Sequence, residues 1–362
     1  MFVSHLSLKD FRSYENLELS LKAGQNIFIG ENGEGKTNII EALMYLALLS
    51  SHRISSDQPL IKLDSKRAYI RAKIESDERT TLVELEINNG KANRAKVNQN
   101  PVRSQKELLG LVKSVCFSPE DLDLVRGDPS ERRSFLDQLL IQQSPRLAGV
   151  ISDYERALKQ RNSLLKSRAP ESSLRSWSEH LATFGGELIA GRIKLINEIE
   201  PLFQIAYKNL SAKKLAKLGY KSSIPAPSSE KEVNKEVMLK VIEEVKSQEI
   251  ERGISLVGPH RDDLILNLGD HPVKGYASHG ESWSIALALR LASYQLFINE
   301  GAKPILILDD VFSELDEGRR EKLLEIADSA EQTFITVAVE NDLPKAIQGA
   351  RFKVELGKVV TL

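Results

Sequence analysis

Cysteine is almost missing from this chain. Of 362 residues only Cys116 carries a thiol, so no disulfide can form within it. Its setting between Val115 and Phe117 reads as core. Histidine is sparse as well: six are scattered without the spacing of a metal site. Net charge is −1, which leaves no global electrostatic pull toward a polyanion. No apolar run reaches a membrane span, and even residues 285–292 are interrupted by Arg290. Met1-Phe-Val-Ser-His has no basic segment leading into an apolar stretch, and repeats and low-complexity tails are absent. The expectation is a cytoplasmic protein without membrane partners. Hydrophobic residues at 41% and charged residues at 28% suit one large or two ordinary domains.

What the chain does have begins at Gly30-Glu31-Asn32-Gly33-Glu34-Gly35-Lys36-Thr37, a G-x-x-x-x-G-K-[ST] loop. Apolar Ile27-Phe28-Ile29 precedes it and a helical pattern starts near Asn38. Backbone N–H groups of such a loop turn inward on β- and γ-phosphates, and Lys36 adds a point charge. The Thr37 hydroxyl ligates Mg²⁺, and the next helix points its positive end at the anion. A nucleoside triphosphate, ATP with Mg²⁺, is the expected ligand; a chance match in a glycine-rich turn is the bland alternative.

Far downstream, Pro304-Ile-Leu-Ile-Leu-Asp309-Asp310 is a short apolar run ending in two carboxylates, the form of a strand buried on both faces. Asp309 is placed to hold the Mg²⁺ shell, and Asp310 to polarise the attacking water. The alternative is a buried strand ending in a solvated turn. Upstream, Ser278-His279-Gly280-Glu281 opens a helical pattern over 283–297. It resembles the signature motif of ABC-type ATPases, whose implied role is to reach across a dimer to the partner's γ-phosphate; a simple helix cap explains the same residues. Ser313-Glu-Leu-Asp316 looks like the D-loop of that superfamily.

Further segments narrow the resemblance. Leu8-Lys-Asp-Phe-Arg12-Ser-Tyr, Ser51-His52-Arg53, Phe117-Ser-Pro-Glu120-Asp121-Leu-Asp-Leu-Val, Pro129-Ser-Glu-Arg132-Arg133-Ser-Phe-Leu-Asp137, Leu158-Lys-Gln-Arg161-Asn162 and Gly258-Pro-His260-Arg261-Asp262-Asp263 join the phosphate loop, signature and carboxylate strand. Together these resemble the RecF family, SMC-related ATPases of bacterial recombinational repair, over nearly the whole length. The resemblance implies an α/β, ABC/SMC-type P-loop ATPase head built from both chain ends, with an inserted mainly helical arm. It implies an ATP-dependent homodimer that clamps duplex and single-stranded DNA at gap junctions without sequence preference. Weak, DNA-stimulated hydrolysis would release the DNA. Cooperation with RecO and RecR in loading RecA on the nucleoid is also implied. Arg12 resembles the SMC-family residue that contacts nucleotide phosphates, although an arginine after a strand is by itself usually a surface ion pair; Ser278, Gly280 and Glu281 resemble the signature.

Departures are informative. The strand ends Asp-Asp where transporter ATPases have Asp-Glu, and the shorter side chain implies looser positioning and slow turnover. No histidine follows His279, so the switch histidine is absent and Thr336 is the nearest polar candidate. Ser118 or Glu120 stands where the Q-loop glutamine would be. His279 replaces the middle glycine of the signature.

Organisation follows from periodicity. Residues 2–8, 17–21, 68–75 and 81–88 read as strands, and Asn89-Gly90 as a type I′ turn into 91–97. From Asp128-Pro129, a cap with Glu131 at N3, the pattern is helical to about Leu218; its apolar positions hold no heptad over several repeats and Gly185-Gly186 and Pro201 interrupt them, so a short helical arm and not a long coiled coil is expected. A loop rich in Ser and Pro spans 222–229, and an amphipathic helix 231–249. Strands at 305–308, 333–337 and 352–362 with a crossover helix at 316–329 complete the head. The expected division is 1–117 (N-terminal lobe), 118–252 (arm) and 253–362 (C-terminal half).

Residues 145–222 contain 14 Lys and Arg against 7 Asp and Glu. A cationic face on this arm would bind phosphates in a sequence-independent, salt-sensitive way, with Arg161, Lys166, Arg168, Lys213, Lys214 and Lys217 as candidates; ordinary solvation of a helical arm is the alternative. His52-Arg53 could face nucleotide or DNA. The charged segment 260–263 suits a structural network, and Trp177 and Trp283 suit packing. Other classes the motifs admit are a transporter's nucleotide-binding subunit and an ATP-responsive DNA-binding module that never hydrolyses.

Overall fold

The computed structural model describes residues 1–362 except 52, 55, 77, 78, 212, 213, 345 and 346. The chain forms two compact units, Met1–Asp121 with Ser293–Leu362, and Leu122–Ala292.

The first unit opens with β1 (Phe2–Phe11), β2 (Tyr14–Ser20) and β3 (Gly24–Ile29), then α1 (Lys36–Leu48). It continues through β4 (Arg67–Ser76), β5 (Arg79–Asn88), β6 (Arg94–Val97), β7 (Asn100–Pro101) and β8 (Ser114–Phe117). An antiparallel sheet runs β2-β1-β4-β5-β6-β7. Alternate residues of β4 are buried, as one-sided packing demands. The 89–93 connection is longer than a two-residue type I′ turn. Asn89 is outside the left-handed region while Gly90 is in it, and Asn93 Oδ1 accepts the Asn88 N–H at 2.9 Å.

The second unit contains α2 (Leu122–Arg126), α3 (Pro129–Gln143), α4 (Leu147–Lys166) and α5 (Glu171–Leu210). They are followed by β9 (Ala216–Lys221), α6 (Lys231–Arg252), β10 (Asp263–Leu268), β11 (His271–Pro272) and the start of α7 (His279–Asn299). Asp128 occupies the N-cap of α3 with Pro129 after it, although its side chain makes no cap hydrogen bond. Gly185-Gly186 and Pro201 do not break α5, which continues for 40 residues. The glycines are a crossing point: a Cβ on Gly186 would lie 2.7 Å from the Lys231 carbonyl oxygen, and one on Gly185 2.9 Å from Met238 Sδ. Beyond Pro201, burial of Phe203 and Tyr207 holds the helix despite the missing N–H.

Helix does not persist to Leu218. Residues 216–221 form β9, antiparallel to β10 with Leu218 opposite Leu266, and Ala216 and Leu218 point inward while Lys217 is exposed. This pairing also moves the return point. The expected boundaries were 117 and 252, whereas the units change at 121 and 292, because β10 and β11 complete a sheet with β9.

Back in the first unit come β12 (Ile305–Asp309), α8 (Glu317–Ser329), β13 (Gln332–Val337), β14 (Ala350–Glu355) and β15 (Lys358–Thr361). They join β3 and β8 in a sheet of order β15-β14-β3-β13-β12-β8. Every residue of β12 and β13 is buried, the mark of parallel strands covered on both faces. Ile39, Ile40 and Leu43 of α1 share one core with Phe28, Ile307, Phe334 and Phe352 of this sheet and with Leu6, Ile70 and Leu85 of the other.

Candidate functional site

The carboxyl ends of β3, β12 and β13 converge, which is where open parallel sheets place ligands. The loop leaving β3 is shaped before any ligand contact is considered. Gly30 N–H donates to the Val337 carbonyl at 3.2 Å. Gly35 has φ 113, and its carbonyl accepts from Tyr14 Oη at 3.1 Å; a Cβ there would stand 2.9 Å from that hydroxyl. Only glycine fits. The loop's outer edge is clamped from the other end of the chain. Leu356 N–H donates to the Glu34 carboxylate, and Gly357 N–H to the Glu34 carbonyl at 3.3 Å.

Helix α1 begins at Lys36 with no side-chain cap and no acidic residue in its first turn, so its N-terminal end carries uncompensated positive potential. Lys36 is 3% exposed; its Nζ donates to the carbonyls of Gly30 at 2.6 Å and Glu31 at 3.2 Å and lies 3.8 Å from Asp310 Oδ2. Asn32, Gly33, Gly35, Lys36, Thr37 and Asn38 line a cavity of about 510 Å³ whose far wall is Asp310, Ser313 and Glu314. Asn38 and Arg53 also border a neighbouring cavity with Arg12, Lys62 and Asp64. His52 lies outside the described residues.

Two carboxylates end β12. Burial, helped by the negative charges of Asp310 and Glu120, raises the Asp309 carboxyl to about 6, against the opposing hydrogen bond from Thr336 and the charge of Lys36. Asp310 stands in the left-handed region at φ 49, and its Oδ1 is buried without a partner. An orphaned carboxylate oxygen beside a lysine and an open helix end fits a group that brings both phosphate oxygens and a cation. Among the described residues no group of three or more His, Cys, Asp or Glu could hold a metal by itself. Mg²⁺ takes one or two protein oxygens and completes its shell with phosphate and water. Of the two residues expected to ligate it, Thr37 lines the cavity and Asp309 is buried at the end of β12.

Arg12 is committed differently. It forms a two-pronged pair with Glu41, Nε to Oε2 and Nη2 to Oε1, each at 2.7 Å. Burial opposes ionisation of Glu41, yet the hydrogen bonds from Arg12 and Ser51 outweigh it and hold the carboxyl below its ordinary range. Ser118 is buried, with its N–H on Asp121, while Pro119 lines the cavity and Glu120 acts on Asp309 through its charge.

In the other unit, Ser278 and Glu281 form a reciprocal cap on α7. Ser278 Oγ accepts the Glu281 N–H at 3.2 Å, and Glu281 Oε2 accepts the Ser278 N–H at 2.9 Å. The cap reading is therefore physically present, and the turn that carries it is exposed. Lys214 Nζ donates to Glu281 Oε1 at 2.8 Å and holds that carboxyl down at about 2. Arg126 reaches Ser282 Oγ at 3.3 Å.

The cationic candidates separate sharply. Arg161 is 2% exposed and satisfies Glu249 at 2.5 Å, Ser255 at 2.8 Å and Ser178 at 2.9 Å. It is a core ion pair and not a phosphate contact, a correction that local sequence could not supply because Glu249 is 88 residues away. Arg192 is likewise spent on Asp137. Lys214 is engaged by Glu281, Lys213 lies outside the described residues, and Lys166, Arg168 and Lys217 are exposed.

The comparisons agree across the whole chain. The RecF/RecN/SMC N-terminal domain family matches residues 2–355. The chain is 51% identical to the DNA replication and repair protein RecF of Streptomyces avermitilis, covering 99% of each. It is 49% identical to that of Kineococcus radiotolerans, covering 96% of each. A solved structure of the recombination mediator protein RecF-ATPrS in the RecFOR pathway superposes with TM-score 0.92 at 28% identity, over all of this chain and 98% of the other. An Smc head bound to the C-winged helix domain of ScpA shares the fold, with TM-score 0.57 at 17% identity, over all of this chain and 98% of that one.

Proposed function

The chain belongs to the RecF family, and from that premise we propose that it is an ATP-binding protein of DNA replication and repair that acts in the RecFOR pathway. The observation that carries the reading is the convergence of Lys36, Thr37 and Asp310 on one cavity, with Asp309 buried next to Asp310 at the end of β12, in a chain that matches its relatives from end to end. ATP binds with its phosphates in the Gly30–Thr37 loop; Thr37 and Asp309 would hold Mg²⁺, which would supply charge neutralisation at the phosphates. Lys36 exchanges its two carbonyl partners for phosphate oxygens, and Asp310 orients or deprotonates the attacking water. Its short side chain keeps turnover slow.

The exposed Ser278–Gly280 turn of a second copy completes the site, so ATP drives a homodimer that holds DNA; hydrolysis lets it go. RecO, RecR and DNA are the partners, and the nucleoid in the cytoplasm is the location. A transporter's nucleotide-binding subunit is set aside by family membership. One observation favours a second reading, a module that binds ATP without hydrolysing it: the Asp310 carboxylate is drawn toward Lys36 at 3.8 Å instead of standing free.

The test is light-scattering mass and gapped-DNA affinity across a salt series, with and without Mg²⁺-ATP. Wild-type protein should double in mass and gain affinity, whereas Lys36→Ala should lose about tenfold or more in ATP affinity and show neither change. An unchanged mass with ATP refutes the dimer. Phosphate release abolished in Asp310→Asn supports hydrolysis; no release from the wild type selects the second reading.

A further inference from the structure

Strand β13 delivers Thr336 between the two carboxylates. Parallel pairing sets Asp309 directly beside Thr336, and the threonine is fully buried. Its hydroxyl donates to Asp309 Oδ1 at 2.5 Å and accepts the Asp310 backbone N–H at 2.9 Å. The same N–H reaches the Thr336 carbonyl at 3.3 Å. The one proton of the hydroxyl is thus spent on Asp309, and a lone pair on Asp310.

Each bond has a geometric consequence. Donation to Oδ1 fixes the rotation of the Asp309 carboxylate and leaves Oδ2 as the oxygen to offer a cation. Acceptance from the Asp310 N–H secures a residue whose φ of 49 is uncommon outside glycine and persists only where neighbours hold it. In that conformation Asp310 presents Oδ2 to Lys36 and leaves Oδ1 buried and unpaired.

Packing does not explain the hydroxyl. The neighbours Ile335 and Val337 are apolar and buried, and valine suits a parallel strand at least as well as threonine. Thr333, on the same strand, is also buried but donates to the Ala327 carbonyl and serves the helix contact.

We propose that Thr336 is a positioning residue for the nucleotide site, a single hydroxyl that sets the metal-facing oxygen of Asp309 and the reactive orientation of Asp310 together. It stands near where a switch histidine would be sought, yet acts through the carboxylates and not on a phosphate, because its one donor proton is already given to Asp309. The inference rests on the ATP reading above.

The test compares Thr336→Val, which deletes the hydroxyl, with Thr336→Ser, which keeps it. Mn²⁺ serves as the probe cation, titrated by electron paramagnetic resonance in the presence of AMP-PNP. Thr336→Val should weaken Mn²⁺ by about 10- to 100-fold, the usual effect of losing an outer partner of a metal ligand, and Thr336→Ser should stay near wild type. Binding of AMP-PNP in EDTA should be unchanged in both, since the hydrogen bonds of the Thr336 hydroxyl go to Asp309 and Asp310 and not to the phosphate loop. Where hydrolysis is measurable, kcat should fall in Thr336→Val with KM held.

Wild-type Mn²⁺ affinity in Thr336→Val overturns the proposal. So does an equal loss in both variants, or a loss of AMP-PNP binding in EDTA that tracks a lowered melting temperature, since either would mark a packing role. Wild-type protein that binds neither AMP-PNP nor Mn²⁺ gives a separate result, which sinks the reading of the site itself and this inference with it.

Discussion

Arg161 shows how far a residue's meaning depends on burial. Its guanidinium would suit a DNA phosphate, but Glu249 is completely buried against it, and removing one partner strands the other charge in the core. Arg161→Ala should cost about 3–5 kcal/mol of folding stability, read as a large drop in denaturant midpoint. His260 carries a pH consequence. Its Nε2 faces the Ser255 carbonyl at 3.2 Å, so Nε2 holds the proton and Nδ1 accepts from Tyr154 Oη at 2.6 Å. Burial, with the charges of Arg261, Arg133 and Arg161, lowers its pKa from 6.5 to about 4, against the pull of the Ser255 hydrogen bond. The unfolded imidazole protonates first as pH falls. Stability from this group is therefore complete above about pH 6.5 and declines by about 3 kcal/mol on approach to pH 4. Urea unfolding at pH 7.5 and 5 should show the slope, and His260→Gln should flatten it.

Among elements, α5 is the instructive case. Gly185-Gly186 reads as an interruption because glycine weakens helices in isolation, and only the approach of α6 reveals its purpose. Gly186→Ala should destabilise by about 1–3 kcal/mol through backbone overlap with Lys231 and Lys235, even though alanine favours helix. Gly149→Ala in α4, where a Cβ meets nothing within 4 Å, should stabilise by about 0.5–1 kcal/mol. Paired thermal melts of the two variants check both signs. Residues 352–362 proved to be the hairpin of β14 and β15, whereas the strands at 2–8, 17–21, 68–75 and 81–88 were legible because their alternation is local. Residues 216–221 were not, because β9 exists only through its pairing with β10.

For the whole molecule, the basic excess over 145–222 is smaller at the surface than in the sequence, since Arg161 and Arg192 face inward and Lys214 is paired. If the exposed Lys166, Arg168 and Lys217 carry DNA contacts, changing all three to glutamine should reduce the slope of log affinity against log salt by roughly one per cation removed, with similar loss on every DNA sequence. An unchanged slope places the contacts elsewhere. Mass and DNA binding must be followed together, because the proposed two-copy clamp would lose affinity either when its cations go or when its dimer does.

The primary structure alone determined the glycine-rich loop and the carboxylate strand. Each is written in a few contiguous residues whose backbone geometry and charge act over a single turn. Tertiary structure decided which arginines are interior, that Glu34 is clamped by Leu356 and Gly357, and that Thr336 stands between two carboxylates. Those outcomes turn on desolvation and on hydrogen bonds between residues tens to hundreds of positions apart, and neither leaves a periodic trace along the chain.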